Sequence, residues 1–92
     1  MYQERLKFEI YLELLTQVKY GNRHYAELKN CTQLPQAELD QSMAPLIFEG
    51  LLKVDLGESK DNQLGFNITD KGEQFIDFLR LALEYVESQA DS

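Results

Sequence analysis

The spacing of apolar residues changes within one stretch of this 92-residue chain, between Gly50 and Thr69. On either side of it apolar residues recur every three or four positions, which indicates amphipathic helices. Within it apolar and polar residues alternate over residues 51–56 and again over 64–68, and a polar turn at 57–63 separates the two runs. Alternation with a period of two is typical of strands, so these runs predict a β-hairpin. The chain is therefore expected to form a mainly helical α+β fold.

Three helices are predicted before the hairpin. Gly21 follows the first helix and suits a left-handed helix stop. Pro35 can occupy the first position of the third helix, where its missing N–H is no loss. Pro45 lies inside that third helix and is expected to kink or loosen its second half, because it removes a helical hydrogen bond. The three predicted helices cover residues 2–20, 25–30 and 35–50.

A long helix is predicted after the hairpin, over residues 69–90. Thr69 is placed at its N-cap, where a hydroxyl can accept a hydrogen bond from a free backbone N–H. All of these elements are expected to form one domain, residues 1–92, because a chain of this length holds one core.

Composition predicts a cytoplasmic globular protein. Apolar residues make up 43% of the chain and charged residues 27%, which suits a folded soluble domain. Cys31 is the single cysteine, so no internal disulfide can form and a reducing compartment is the simplest expectation. The first residues lack the pattern of a signal peptide, and no apolar run approaches the roughly 20 residues that span a bilayer.

Two segments carry a resemblance to a known fold. The first runs from Leu28 to Leu52, with apolar residues at helical spacing and the closing sequence Phe-Glu-Gly-Leu-Leu; the second runs from Phe66 to Gly72, with the sequence Phe-Asn-Ile-Thr-Asp-Lys-Gly. In this order, with a hairpin between them, they resemble the winged helix-turn-helix of MarR-like and PadR-like regulators. The resemblance covers about residues 6–88. It implies a three-helix helix-turn-helix core, a two-stranded wing, a long C-terminal helix, and a transcriptional regulator that binds double-stranded DNA.

The resemblance also implies which residues would contact DNA. In such proteins the third helix enters the major groove, while the hairpin tip meets the adjacent backbone or minor groove. Glutamine side chains can read adenine edges, and lysine and arginine contact phosphates. The outer side of the third helix is predicted to carry Gln36, Ala37, Asp40, Gln41 and Ala44. The candidate DNA-binding residues are Arg23, Lys29, Thr32, Gln36, Gln41, Lys53 and Lys60.

The net charge of -7 opposes DNA binding, because phosphate polymers repel an acidic protein unless its cations share one face. More than half of that charge, -4 of -7, lies on residues 69–92. The third helix and the hairpin are also acidic, where the resembled families are usually basic. Two alternatives therefore stay open: an acidic winged-helix module that binds a basic protein, and a mimic of DNA whose carboxylates imitate phosphates.

The last helix predicts a homodimer. Its apolar residues cover more of its circumference than one small core can bury, and the first helix shows a similar excess. Phe75, Leu79, Ala82 and Val86 form a seam at alternating four- and three-residue steps. The alternative is a monomer whose own core covers the apolar residues of both helices. The candidate dimer residues are Phe8, Leu12, Phe75, Phe78, Leu79, Ala82 and Val86.

An enzyme is not expected. His24 is the single histidine and Cys31 the single thiol, and no metal-ligand spacing surrounds either of them. His24 is predicted at the surface or half-buried, and Cys31 as a small core residue. No catalytic residue, metal or cofactor is predicted.

Overall fold

Four helices and one two-stranded sheet are formed by residues 7–57 and 64–90, which are the parts of the chain that the computed structural model describes, with side chains up to residue 88. The helices are α1 (Lys7–Lys19), α2 (Tyr25–Thr32), α3 (Gln36–Phe48) and α4 (Asp70–Ala90), and the strands are β1 (Leu52–Val54) and β2 (Phe66–Ile68). This order confirms the predicted α+β architecture of three helices, a hairpin and a long last helix.

The connection between α1 and α2 has the predicted left-handed glycine, but α2 is longer than expected. Gly21 has φ 115°, in the region that glycine adopts at low cost. The predicted end of α2 at Asn30 is two residues early, since the helix continues to Thr32. The Thr32 hydroxyl donates a hydrogen bond to the carbonyl of Leu28 at 2.7 Å, and this bond stabilises the last turn.

Helix α3 begins at Gln36, one residue after the predicted start, and it continues through Pro45 to Phe48. The backbone N–H of Glu49 donates to the Pro45 carbonyl at 2.9 Å, so the last turn is hydrogen-bonded. Gly50 then turns the chain towards the sheet with φ 76°. The helix that sequence predicts to be loosened by Pro45 is therefore continuous.

The hairpin is shorter than its alternating sequence predicts. The strands β1 and β2 pair antiparallel over three residues, with Leu52 opposite Ile68 and Val54 opposite Phe66. Leu56 and Leu64, which were expected to continue the strands, are 82% and 54% exposed. They lie beyond the helices, where no core covers their side chains. The predicted turn at 57–63 lies outside the described residues from position 58 onward.

The segment between α1 and α2 pairs with the free edge of β2. Phe66 donates its backbone N–H to the carbonyl of Arg23 at 2.7 Å, and His24 forms an isolated antiparallel bridge with Gly65. The start of α2 is therefore hydrogen-bonded to β2.

The core lies around α1, which packs against α2, α3, β2 and α4. The part of α4 that faces the core is narrow, since only two large apolar side chains of that helix are fully buried. The Thr69 hydroxyl accepts a hydrogen bond from the backbone N–H of Gly72 at 3.0 Å, which confirms the predicted cap of α4. The buried apolar residues are Leu14, Leu15, Val18, Leu28, Leu34, Leu39, Met43, Leu46, Leu51, Leu52, Phe66, Ile76 and Leu79.

Candidate nucleic-acid interface

Helix α3 presents one side to the core and the opposite side to solvent. Its buried side chains are Leu39, Met43 and Leu46. The five residues predicted on its outer side are all exposed: Gln36, Ala37, Asp40, Gln41 and Ala44.

The centre of that outer side is a nearly apolar line of residues. Ala37, Gln41, Ala44 and Phe48 follow one another at steps of four, three and four, which places them along one face of a helix. We call these four residues the outer stripe. Phe48 is 89% exposed and was not among the predicted site residues, although the same spacing extends to it. The outer stripe therefore offers methyl groups, one amide and one aromatic ring to a partner.

Tyr25 and Asp40 connect the first residue of α2 to the outer side of α3. The Tyr25 hydroxyl donates to Oδ1 of Asp40 at 2.5 Å. This hydrogen bond to a carboxylate, with smaller contributions from desolvation and the negative charge, raises the pKa of Tyr25 to about 12. Tyr25 is therefore protonated at neutral pH and holds Asp40 in place. No sequence pattern links two residues 15 positions apart in this way.

The described candidate DNA-binding residues divide by exposure. Lys29, Gln36, Gln41 and Lys53 are exposed, and Arg23 is half-buried beside the hairpin. Thr32 is a correction, because its side chain is buried and its hydroxyl is engaged with the Leu28 carbonyl, so it is not available to a phosphate. Lys60 lies outside the described residues. Exposure alone does not test DNA contact, so the remaining assignments stay predictions.

The sheet brings two of the predicted cations into one unit. The backbone of Arg23 pairs with one edge of β2, and Lys53 lies on β1, which pairs with the other edge opposite Asn67. Both lie in the unit that contains the hairpin and adjoins α2. Lys29 is the only lysine of α2 and lies in the last turn of that helix, shortly before the connection to α3.

Comparison with solved structures supports this architecture. The crystal structure of SSV1 F-93 aligns with 95% of this chain and with 96% of its own, at 20% sequence identity and a TM-score of 0.55. The chain has a winged-helix fold. In the terms of that fold, α2 and α3 form the helix-turn-helix and the β1–β2 hairpin is the wing. No protein-family model and no curated protein sequence matches the chain.

The wing carries its polar and apolar residues on opposite faces. The side chain of Asn67 donates to Asp55 Oδ2 at 3.3 Å across the strands. By the same alternation, Val54 shares its face with the buried Leu52 and is 40% exposed. Beyond the core, this apolar face of the wing is open to solvent.

Helix α4 has an exposed apolar face, but it is not the seam that sequence predicts. Leu79 is fully buried in the protomer core, so its side chain is not available to a second copy. Ile76, expected off the seam, is also buried, because the core covers that side of the helix. Phe78 and Tyr85 are instead 60% and 67% exposed. The exposed face that contains Phe78 and Tyr85 therefore lies about a quarter of a turn around the helix axis from the centre of the predicted seam.

The other candidate dimer residues do not all border this face, since Leu12 lies against the side of α4 that carries Arg80 and Leu83. Phe75 is half-buried, with its ring stacked on Phe78 at 5.8 Å between centroids. Leu12 lines a groove of about 330 Å³ between α1 and α4. Phe8, Ala82 and Val86 have exposed or half-exposed side chains.

His24 and Cys31, the residues considered for catalysis or metal binding, have different surroundings. His24 is half-buried as predicted, and its Nδ1 lies 2.6 Å from Oε1 of Glu27. Cys31 is exposed, which corrects its predicted place in the core. Among the described residues, no three side chains of the His, Cys, Asp or Glu type converge as metal ligands would. Nor does the described part of the chain contain a helix long and apolar enough to cross a bilayer.

Proposed function

We propose that this protein is a winged-helix regulator of transcription that binds double-stranded DNA as a homodimer in the cytoplasm. The observation that carries the proposal is the exposed outer side of α3, held by the Tyr25–Asp40 bond beside a wing that includes Lys53. A helix presented in this way fits the major groove, and a hairpin beside it reaches the flanking backbone. Membership of the MarR-like or PadR-like class is part of the proposal.

The phosphate contacts come from few residues. Arg23, Lys29 and Lys53 are the described candidates, and the acidic residues around them weaken attraction over longer distances. Each phosphate contact contributes about 0.9 to the slope of log affinity against log salt concentration. We therefore expect weak binding with a shallow salt dependence from each protomer.

The dimer is proposed to form through α4. Phe78 and Tyr85 recur seven residues apart with Ala82 between them, and Phe75 lies one turn before Phe78. Pairing of two such faces around a two-fold axis would bury apolar surface that one protomer leaves in water. It would also place two copies of α3 against one duplex.

The test of DNA binding is a fluorescence titration of labelled duplexes, random and promoter-derived, from about 50 to 200 mM salt. The double variant Lys29→Glu/Lys53→Glu should bind more weakly and with a smaller salt slope. Lys7→Glu reverses one lysine on α1 and should bind like the unmodified protein, whereas Lys29→Glu or Lys53→Glu alone, with the same change of charge, should each bind more weakly. The absence of salt-dependent binding to any duplex would refute the proposal.

A second candidate function is an acidic module that binds a basic protein, and the outer stripe favours it. Phe48 is almost fully exposed at the end of a helix without any basic residue, and Asp40 and Glu49 are exposed near it. Aromatic residues of this kind anchor protein interfaces. For this function, Phe48→Ser should abolish partner binding while Lys53→Glu leaves it unchanged. The opposite result from these two variants would support DNA.

A further inference from the structure

Helix α3 lacks the residues that most often read guanine. No lysine or arginine occurs between Lys29 and Lys53, a stretch that contains the turn before α3 and the whole helix. The major-groove edge of guanine offers two acceptors, N7 and O6, so a side chain that reads it must donate hydrogen bonds. Arginine and lysine are the usual donors. A guanine that faces α3 therefore meets none of them.

Asp40 adds an acceptor to the same side of the helix. A carboxylate repels N7 and O6 of guanine but can accept a hydrogen bond from the N4 amino group of cytosine. The Tyr25 hydroxyl holds one carboxylate oxygen at 2.5 Å, so Asp40 does not swing freely into solvent. An ionised carboxylate has about four acceptor positions, and the bond to Tyr25 leaves the others for a base.

The outer stripe supplies complementary groups for an adenine–thymine pair. Gln41 lies between Ala37 and Ala44 along the stripe, and all three side chains are exposed. A glutamine amide can both donate to N7 of adenine and accept from its N6 amino group, while alanine methyl groups pack on the thymine methyl. One adenine–thymine pair offers both kinds of contact in the major groove.

We propose that α3 selects duplex DNA through adenine edges and thymine methyl groups, read by Gln41 with Ala37 and Ala44, and that Asp40 excludes guanine from the neighbouring position. This inference rests on the proposed function, since it concerns which bases α3 reads on bound DNA. It names a class of target: sites rich in adenine and thymine at the α3 contacts, with cytosine towards Asp40.

Modified bases test the inference atom by atom. A duplex selected from a random library would be rebuilt with 7-deazaadenine, with uracil in place of thymine, or with 7-deazaguanine. The first two changes remove adenine N7 and the thymine methyl, and each should weaken binding about fivefold or more. The third removes guanine N7 and should change affinity less than about twofold, because α3 has no lysine or arginine to donate to it.

Three variants connect these effects to named residues. Gln41→Ala should lose its sensitivity to 7-deazaadenine, because the side chain that contacts N7 is gone. Gln74→Ala removes an exposed glutamine from α4 and should keep that sensitivity. Asp40→Asn keeps an acceptor for Tyr25 but adds donors, so selection should now admit purines at the position that faced cytosine.

The outcomes separate the two proposals. If no duplex binds at any salt concentration, the proposed function fails and takes this inference with it. If duplexes bind but 7-deazaguanine weakens them more than 7-deazaadenine does, DNA binding stands and only the inference is overturned. Retained sensitivity of Gln41→Ala to 7-deazaadenine would overturn it as well.

Discussion

The backbone of Gly72 in α4 lies directly against the carbonyl of Leu51, so that a Cβ at Gly72 would come within 2.2 Å of that oxygen. The same Cβ would meet Cγ1 of Ile68 at 2.7 Å. Contacts this short are not accommodated without movement of the backbone. The start of α4 can therefore approach the wing this closely only because position 72 is glycine.

Gly72→Ala is accordingly expected to lower the free energy of unfolding by about 1–3 kcal/mol, the usual cost of overpacking. Urea denaturation followed by circular dichroism measures it. Gly57→Ala is the matched control, since its Cβ would meet only the end of the Asp55 side chain, at 3.2 Å. Equal stability of the two variants would contradict the close approach.

The cap of α4 gives a second prediction. The Thr69 hydroxyl accepts from the Gly72 N–H at 3.0 Å and donates to the Gly50 carbonyl at 2.6 Å. Thr69→Ala should cost about 1–2 kcal/mol of unfolding free energy, because a helix N-terminus loses its cap. Thr69→Ser keeps the hydroxyl and should lose much less. A serine variant as unstable as the alanine variant would show that the methyl group, not the cap, matters.

The start of α2 predicts a dependence of stability on pH. The hydrogen bond to the His24 side chain lowers the pKa of Glu27 below its usual 4.5, and together with backbone hydrogen bonds it outweighs the opposing effect of desolvation. Because the folded pKa is the lower one, this stabilisation is fully present above the unfolded pKa and is lost as pH falls through the folded pKa. Glu27→Gln should thus be less stable than the unmodified protein at pH 7, and this difference should shrink as the pH falls below 4.5.

Glu84→Gln provides the comparison for that experiment. It removes one negative charge from an exposed position on α4 and leaves the contact with His24 intact. A pH-dependent difference of the same size in both variants would mean that net charge, and not the Glu27 contact, is responsible.

The phenol of Tyr25 should lose its proton at a higher pH than an ordinary tyrosine. With its pKa raised from 10.0 to about 12, the bond to Asp40 stabilises the fold below pH 10 and is lost as pH rises through about 12. Ultraviolet absorbance of the unmodified protein minus that of Tyr25→Phe isolates this one tyrosine among five. Asp40→Asn should bring the midpoint back towards 10. Tyr20→Phe, which changes an exposed tyrosine directly after α1, should leave the titration near pH 12 in place.

Two exposed phenylalanines distinguish the proposed dimer from the proposed DNA surface. Phe78→Glu places a charge on the exposed face of α4 and should convert the dimer to a monomer in analytical ultracentrifugation. Phe48→Glu makes the same change on α3 and should leave the dimer intact while it weakens DNA binding. A protein that is monomeric before either change would refute pairing through α4.

Local patterns in the sequence predict most elements of this fold but not their contacts. Alternation located the wing, yet it continued through Leu56 and Leu64, because a pattern does not reveal where the core ends. Likewise the apolar circumference of α4 was evident, but not that the core takes the side with Leu79 and leaves Phe78 outside.

The candidate site was predicted in the same uneven way. Helical spacing placed Gln36, Asp40 and Gln41 on the outer side of α3 correctly. Thr32 is polar and close to the turn, yet its hydroxyl is used within α2. The Tyr25–Asp40 bond joins two helices, and contacts between distant segments leave no periodic trace in a single sequence.

The packing of α1 and α4 connects the helix-turn-helix of this protein to both ends of its described chain. Helix α1 packs against α2, α3, β2 and α4, and α4 adds Ile76 and Leu79 to the buried cluster, so removing either helix would expose core side chains. A peptide containing α2 and α3 alone would have little apolar surface to bury and would not keep its shape. Transplanting the proposed base selectivity into another scaffold therefore means moving side chains of α3 one by one, and not moving the helix-turn-helix as a cassette.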